Sequence, residues 1–389
     1  FTGEGGTSEG DFHEALNVAA VWKLPVLFCV ENNGYGLSTP ISEQFSCENI
    51  ADKGIGYGME SHIIDGNNII EVYTKVKELV NSLRTNPRPI LLEFITFRMR
   101  GHEEASGTKY VPQALLDFWA AKDPVENYQT FLKEQKILTD TLENEYKEAI
   151  SKEINEHLQI AFEEEKIIPN YENELNDVYK SVDYKVITPS ETKKNIRFID
   201  AISDGLRLSM QHHEDLILMG QDIAEYGGAF KITEGFVNKF GNERVKNTPI
   251  CESAIVSAAY GLSVNGMKSV VEMQFADFVS SGFNPIVNLL AKSHYRWQQI
   301  ADVVVRMPCG AGVSAGPFHS QTNEAWFTKT PGLKVVYPAF PQDAKGLLIS
   351  AINDPNPVLF FEHKALYRAV YQEVSEGYFT IEIGKGNLL

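Results

Sequence analysis

Cysteine is scarce in this sequence, and the few thiols it has are far apart. The 389 residues include four cysteines, Cys29, Cys47, Cys251 and Cys309. They form no CxxC pair and have no histidine cluster beside them, which argues against disulfides and against a zinc site. We therefore expect ordinary reduced thiols.

Long apolar runs and excess positive charge are also missing. No apolar run approaches the roughly 20 residues that a membrane-spanning helix needs, and no charged-then-apolar segment of the signal-peptide kind opens the printed sequence. Acidic residues number 52 against 35 basic ones, so the net charge of −17 would repel a phosphate backbone over most of the surface. We expect a cytoplasmic protein that binds neither nucleic acid nor membrane.

The pattern that is present is an alternation of helices and buried strands. Helical spacing of Phe12, Leu16 and Ala19 predicts a first helix, and the continuous apolar run over 25–30 predicts a buried parallel strand. The alternation repeats to about residue 100 and resumes near Ile196. Because single cores usually stop growing below about 300 residues, the chain is expected to form two α/β domains with parallel sheets flanked by helices.

A charged segment separates the two alternating regions. Residues 123–192 show a helical pattern without strand signals, and Pro169 interrupts it. We interpret this segment as a solvated helical linker, with a partner-binding helix as the alternative. We predict a first domain over 1–122, the linker over 123–192, a second domain over 193–375, and the start of a further domain over 376–389. Both ends look cut, so we expect an internal fragment.

The opening stretch FTGEGGTSEG places an acid inside a glycine loop. Gly3, Gly5 and Gly6 suit a loop whose backbone N–H groups approach a phosphate, yet the carboxylate of Glu4 would repel it. Asn33 follows Glu4 by 29 positions (33 − 4), which is the length of one strand–helix–strand unit. Two such side chains fall on neighbouring loops at the carboxyl ends of parallel strands, where their oxygens can converge.

A bound cation resolves the conflict between Glu4 and the phosphate. Mg²⁺ favours few protein ligands plus phosphate oxygens, and Glu4, Asn33 and a carbonyl from the turn at Tyr35 are the candidate ligands. A dinucleotide fingerprint fits poorly, because Ser8 stands where its third glycine belongs. That Glu4 simply caps the first helix remains an alternative.

The stretch GEGGTSEGDFHEALNVAAVWKLPVLFCVENNGYGLSTP resembles the thiamine diphosphate motif of the α subunits of 2-oxo acid dehydrogenase first components. Its flanks, SEGD and STPISEQ, are most similar to the branched-chain members. From about Ile196 the chain resembles the β subunit of these enzymes, through TPICES, EMQFADF, GPFHSQTNEAWF and PGLKVVYPAFPQDAKGLL. The resemblance implies an α/β fusion with two thiamine diphosphate-binding-fold domains and a Mg²⁺ site.

The resemblance also implies roles for individual residues. Glu252 would hydrogen-bond the cofactor's pyrimidine ring, although an acid in the first turn of a helix is the alternative. His102 and His319 would contact cofactor or substrate and assist acyl transfer, although a lone loop histidine is often a surface residue. The remaining candidate cofactor-binding residues are Gly3, Glu4, Gly5, Gly6, Asn33, Tyr35, Ile250, Gln274 and Phe278. Some relatives also bind K⁺ at positions that match Ala351, Asp354 and Asn356.

The implied reaction is oxidative decarboxylation of a branched-chain 2-oxo acid, with acyl transfer to the lipoyl group of a partner acyltransferase. Because the family places each cofactor between an α-type and a β-type domain, a homodimer or higher homo-oligomer is implied. Glu103 replaces a serine that is phosphorylated in some relatives, and Glu31 replaces an arginine near the diphosphate. With upstream residues missing, we expect this fragment to bind cofactor weakly and to turn over little.

Other functions stay open at this point. The same reaction on pyruvate or another 2-oxo acid is the nearest, because one methylene in a pocket changes binding by only about 1 to 3 kcal/mol. A transketolase-type transferase would use the same cofactor and fold without a lipoyl acceptor. A cofactor-binding module without catalysis is the third possibility.

Overall fold

The computed structural model describes residues 1–386, so the last three residues of the predicted 376–389 segment lie outside it. The chain divides into two compact units, Phe1–Ile168 and a second that begins at Pro169. The division falls inside the segment predicted as a linker.

The first unit is built on a four-stranded parallel sheet of order β1-β2-β6-β5. Its strands and a small antiparallel hairpin (β3 and β4) are β1 Thr2–Gly3, β2 Leu27–Asn32, β3 Tyr35–Gly36, β4 Thr39–Pro40, β5 Glu60–Asp65 and β6 Ile90–Ile95. Its helices are α1 Gly10–Trp22, α2 Lys53–Gly56, α3 Ile69–Thr85, α4 Gln113–Ala120, α5 Pro124–Glu134 and α6 Asp140–Glu163.

Both faces of this sheet are covered. On one face Leu16 of α1 packs with Val30 and Leu91 of the strands. On the other, Leu79 and Leu83 of α3 pack with alternate strand residues. Alternation of side chains along each strand gives the sheet two apolar faces, as a buried parallel sheet requires.

The second unit contains a six-stranded parallel sheet of order β12-β13-β11-β10-β8-β9 and a two-stranded antiparallel sheet of β7 and β14. Its strands are β7 Lys193–Arg197, β8 Leu216–Gly220, β9 Val245–Asn247, β10 Lys268–Glu272, β11 Val303–Cys309, β12 Lys334–Val336, β13 Val358–His363 and β14 Tyr371–Ser375. Its helices are α7 Tyr171–Asn176, α8 Phe198–His212, α9 Phe236–Phe240, α10 Glu252–Val264, α11 Ala291–Trp297, α12 Pro341–Asn353 and α13 Leu366–Ala369.

Helices again cover both faces of the larger sheet. Helices α8 and α12 pack together and form the main core with alternate residues of the strands, such as Leu218, Val304 and Phe360. Helix α10 packs on β10 and β11 from the opposite side. Because all six strands are parallel, their carboxyl ends lie at one edge of the sheet, and the loops that follow them are close to one another.

The expected α/β class with parallel sheets is confirmed. Within residues 1–386 no helix is both long and apolar enough to cross a membrane. The four cysteines form no disulfide with one another in the described part of the chain. Pairing of β7 with β14 had no signal in the sequence, because the two strands lie more than 170 positions apart in the chain.

Candidate cofactor and catalytic sites

The structure brings Glu4 and Asn33 together at one edge of the first unit's sheet. Strands β1 and β2 are parallel, with Gly3 paired to Glu31, so the residues that follow both strands lie side by side. The backbone N–H of Asn33 donates to Glu4 Oε2 at 3.0 Å. Glu4 is only 1% exposed, so this carboxylate is held inside the unit rather than in solvent.

Helix capping does not account for Glu4. Helix α1 begins at Gly10, and the residue at its N-cap position is Glu9. Glu4 precedes a 3₁₀ turn, Gly5–Ser8, and its side chain makes no capping hydrogen bond there. The carboxylate is instead directed at the loop after β2, across 29 positions of sequence.

Glycine allows the two loops to approach closely. A Cβ atom on Gly5 would lie 3.2 Å from the Cα of Gly36, and one on Gly6 would lie 2.3 Å from Thr2 Oγ1. Gly3 has open space around it. A side chain at Gly5 would press on the backbone of the loop after β2, whereas one at Gly6 would displace only the Thr2 side chain. The close approach of the two loops therefore depends on Gly5.

Lys53 is a contributor to this loop that sequence reasoning missed. Its ammonium donates to Thr7 O at 2.9 Å and to Thr7 Oγ1 at 3.0 Å, and burial lowers its pKa. Thr7 Oγ1 in turn donates to the carbonyl of Glu4. Lys53 lies 46 positions from Thr7, and nothing in the local sequence marks it.

His102 and Tyr35 are linked through Arg98 and Tyr110 in a second cluster of the first unit. Arg98 Nη1 lies 3.3 Å from His102 Nδ1, and because a guanidinium only donates, Nδ1 accepts. Arg98 Nη2 also donates to the carbonyl of Leu37, as does the hydroxyl of Tyr110. The Tyr35 ring packs edge-on against Tyr110 with ring centroids 5.5 Å apart. His102 itself is exposed.

In the second unit, Glu252 is a buried acid with a side-chain partner. It is the first residue of α10 and 7% exposed. Gln221, which directly follows β8, donates from Nε2 to Glu252 Oε1 at 3.2 Å. A first-turn acid of the ordinary kind faces solvent, whereas this one is enclosed and oriented by an amide.

His319 stands against two aromatic rings that follow β10. Its ring lies 4.8 Å from the ring of Phe275 and 5.4 Å from that of Phe278, both nearly perpendicular. His319 Nδ1 is buried and has no hydrogen-bond partner among the described residues. The 3₁₀ segment Ala276–Gly282 also packs on the start of α10, since a Cβ on Gly282 would lie 3.1 Å from Glu252 O. Phe278 and the start of the Glu252 helix are therefore neighbours.

Two other predicted residues lie outside this group. The Gln274 amide donates to Asp222 Oδ2 at 2.8 Å on an exposed part of the surface. Ile250 is 83% exposed. Their assignment to cofactor binding stays a prediction.

The residues matched to a K⁺ site already have a cationic neighbour. Lys334 Nζ lies 2.5 Å from Asp354 Oδ2, and the hydroxyl of Tyr184 donates to the same oxygen at 2.6 Å. Asn356 donates to Asp354 Oδ1 from its backbone and from its side chain. The Asp354 N–H donates to the carbonyl of Ala351. This carboxylate is thus neutralised by an ammonium.

Sequence signals existed for some of the missed residues. Gln221 comes immediately after the apolar run LILMG, and Lys364 follows the run PVLFFEH. Polar residues placed directly after buried parallel strands lie at the edge where ligands bind. Phe275 carried no such signal, because an aromatic residue after a strand is ordinary core composition.

Each of the two units is a parallel α/β domain with polar residues beyond the carboxyl ends of its strands. Comparison with known families identifies them. Residues 1–170 match the family described as "Dehydrogenase E1 component", and residues 194–370 match "Transketolase, pyrimidine binding domain". The chain joins an α-like region of an E1 dehydrogenase to a β-like pyrimidine-binding domain, which are two thiamine diphosphate-fold domains.

Curated relatives match about half of this chain. The 2-oxoisovalerate dehydrogenase subunit beta of Bacillus subtilis (strain 168) is 43% identical over 195 residues, which are 49% of this chain and 59% of that protein. The pyruvate dehydrogenase E1 component subunit beta of Acholeplasma laidlawii is 42% identical over 196 residues, 50% of this chain and 60% of that protein. The chain therefore spans about three fifths of each of these relatives.

Proposed function

We propose that the protein catalyses thiamine diphosphate-dependent oxidative decarboxylation of a branched-chain 2-oxo acid and transfers the acyl group to the lipoyl group of a partner acyltransferase. The observation that carries the proposal is Glu252, a buried acid that Gln221 orients at the start of α10. It lies in a unit that matches a pyrimidine-binding family. An acid so placed is equipped to exchange a proton with a ring nitrogen.

The residues of the first unit fit the diphosphate and its metal. Mg²⁺ prefers oxygen ligands, few of them from protein, and Glu4 supplies a carboxylate beside Asn33 and the turn that contains Tyr35. Gly5 lets the loop pass close to the backbone of Gly36, and the backbone N–H groups of Gly5 and Gly6 are the candidate phosphate donors. We propose that Glu4, Asn33 and the Tyr35 carbonyl hold Mg²⁺, with Gly3, Gly5 and Gly6 beside the diphosphate.

When bound, the cofactor would supply the carbon nucleophile that decarboxylation of a 2-oxo acid requires. The protein's own residues orient it and move protons. The Glu252 carboxyl would hold a proton at the pyrimidine, while Phe278 and Ile250 would border that ring. His319 and His102 would donate or accept a proton during acyl transfer, each from its own unit. Gln274 would line the same site.

A branched-chain substrate is supported by the flanks of the opening motif and by the 2-oxoisovalerate dehydrogenase relative. Pyruvate is the second candidate, because relatives named as pyruvate dehydrogenase subunits from Acholeplasma laidlawii and Staphylococcus aureus (strain Mu50 / ATCC 700699) are 42% and 41% identical. Such small differences in identity do not separate the two substrates.

The proposed partners are a lipoyl-bearing acyltransferase and a second copy of this chain. A K⁺ ion at Asp354 would have to share the carboxylate with Lys334, so the proposal does not include it. The cytoplasmic location and the low activity expected of residues 1–389 on their own stay predictions.

The test uses the full-length protein with Mg²⁺ and thiamine diphosphate and follows reduction of an artificial electron acceptor. The substrates are 3-methyl-2-oxobutanoate, pyruvate and 2-oxoglutarate. We expect preference for the branched substrate and a loss of about 100-fold or more in kcat for Glu252→Ala, since a positioned acid contributes that much. The control is Glu243→Ala, whose side chain is 93% exposed, and it should leave the rate unchanged.

The alternative outcomes separate the rival functions. Preference for pyruvate would keep the chemistry and replace the substrate. Turnover that needs no lipoyl domain but needs an aldehyde acceptor would indicate a transketolase-type transferase. Cofactor binding without any turnover, unchanged in Glu252→Ala, would indicate a module without catalysis.

A further inference from the structure

The loop that carries His319 is fastened by a buried carboxylate from another part of the second unit. Asp277 Oδ1 accepts the backbone N–H groups of Ser320 and Gln321, both at 3.1 Å. These are the two residues that directly follow His319. The bonds span 43 and 44 positions of sequence, so they are tertiary contacts rather than a local turn.

Further hydrogen bonds fasten the same loop nearby. Asn323 Nδ2 donates to the carbonyl of Ala276 at 2.8 Å, and the Gly310 N–H donates to the carbonyl of Gln321 at 2.8 Å. In contrast, residues 311–318 are exposed. The loop is thus held at its C-terminal part, directly after His319, while the preceding part lies on the surface.

Asp277 belongs to the segment that forms the aromatic wall of His319. Phe275 precedes it by two positions and Phe278 follows it by one, and both rings contact the His319 ring. One short segment therefore supplies both the surface against which the imidazole stands and the anion that holds its backbone. Movement of this segment would move the wall and the anchor together.

Lys364 provides a buried positive charge near this anchor. Lys364 and Asp277 are each 6% exposed, and neither Lys364 Nζ nor Asp277 Oδ2 has a hydrogen-bond partner within the described residues. Lys364 Nζ lies 5.2 Å from the centre of the Phe275 ring. Burial lowers the pKa of Lys364, and the Asp277 carboxylate opposes that effect. A buried ammonium without a hydrogen-bond partner lowers the stability of the fold. We therefore expect a function for the Lys364–Asp277 pair.

We propose that Asp277, with Lys364 as its counter-charge, is a positioning residue that fixes the His319 loop against Phe275 and Phe278. The catalytic part of this inference rests on the proposed function, because His319 is the residue being positioned. The structural part, that Asp277 holds the backbone of Ser320 and Gln321, does not depend on it.

The structural part is tested by hydrogen exchange on the full-length protein. In Asp277→Ala the amides of Ser320 and Gln321 lose their acceptor and should exchange about tenfold faster or more, the effect of losing one hydrogen bond to a charged group. Asp277→Asn keeps an acceptor oxygen and should stay close to wild type. The control Asp302→Ala removes another buried aspartate, before β11 at the opposite end of the sheet, and should leave both amides protected.

The catalytic part is tested by kinetics with the lipoyl acceptor. Asp277→Ala should lower kcat by about tenfold or more and leave KM for the 2-oxo acid unchanged, because geometry rather than binding is lost. Combining it with His319→Ala should cost no more than His319→Ala alone, since residues that act as a unit are not additive.

Each outcome decides between the claims. Unchanged exchange at Ser320 and Gln321 in Asp277→Ala overturns the inference, and so does an additive double variant. Faster exchange in a protein whose turnover does not depend on His319 supports the anchor and overturns the role proposed for His319. If Asp277→Ala does not fold, hydrogen exchange of the wild-type protein is the test. The amides of Ser320 and Gln321 must then exchange more slowly than those of residues 312–315, and equal rates would overturn the inference.

Discussion

A single buried guanidinium joins three strands of the second unit. Arg306 of β11 is 1% exposed and pairs with Glu272 of β10 at 2.6 Å and with Glu362 of β13 at 2.7 Å. The hydroxyl of Tyr367 donates to Glu362 at 2.6 Å. The two carboxylates hold the pKa of Arg306 well above its ordinary value, while burial raises the pKa of Glu272. Each of these charges is removed from water, so each is stabilised mainly by its oppositely charged partners.

Removing the guanidinium should be strongly destabilising. Arg306→Met leaves Glu272 and Glu362 buried without their cation, and we expect a loss of about 3 to 5 kcal/mol in the free energy of unfolding. Urea denaturation followed by circular dichroism measures it. Arg306→Met combined with Glu272→Gln and Glu362→Gln should recover much of the loss, since no buried charge remains. A cost for the single variant below about 1 kcal/mol would contradict this account.

At the scale of elements, His213 links the ends of two helices. It directly follows α8, and its Nε2 lies 2.8 Å from Oδ1 of Asn353, the last residue of α12. The hydroxyl of Tyr378 contacts the same amide oxygen at 3.1 Å. Burial lowers the pKa of His213 below its ordinary value of 6.5. Folding therefore favours the neutral form of the His213 imidazole.

This link predicts a pH dependence of stability. Because the pKa of His213 is lower in the folded chain, the unfolded chain binds more protons as the pH falls below 6.5, and the free energy of unfolding decreases. Urea titrations at about pH 7.5 and about pH 5.5 should show this decrease, and His213→Gln should make it smaller. The neighbouring His212, exposed and stacked on Tyr378, offers the control His212→Gln. An equal decrease in both variants would assign the effect to other groups.

At the scale of the whole molecule, the chain passes from one unit to the next through an exposed stretch. Helix α6 ends at Glu163, the division into units falls after Ile168, and every residue from 161 to 170 is exposed. Helix α6 belongs to the first unit, and the first family match likewise extends to residue 170. The helical segment predicted as one linker is thus shared between the units.

Trypsin should cleave the native protein in this stretch before it cleaves inside helix α6. Lys166 lies outside regular structure, whereas Lys152 is also exposed but lies inside α6. Because proteases need an unfolded segment, limited trypsin treatment of the native protein should cut after Lys166 before Lys152. Mass spectrometry of the first fragments identifies the site, and Lys166→Gln should delay the cut. Earliest cleavage inside α6 would show that this helix opens more easily than the stretch after it.

The sequence by itself determined the fold class and one half of the candidate site. The apolar runs and helical spacings identified most strands and helices, because burial of a parallel sheet needs them. Glu4 and Asn33 could be paired from a spacing of 29 residues, because successive parallel strands here lie side by side and end at one edge.

Only the tertiary structure decided which residues meet around Glu252 and His319. In the second sheet, β11 lies between β10 and β13, and β8 lies between β10 and β9, an order that the chain does not follow. Contacts such as Asp277 with Ser320, or Lys334 with Asp354, depend on that order and on loops folded over it. A linear pattern records how far residues lie from each other along the chain, whereas strand order is fixed by the packing of helices on both faces.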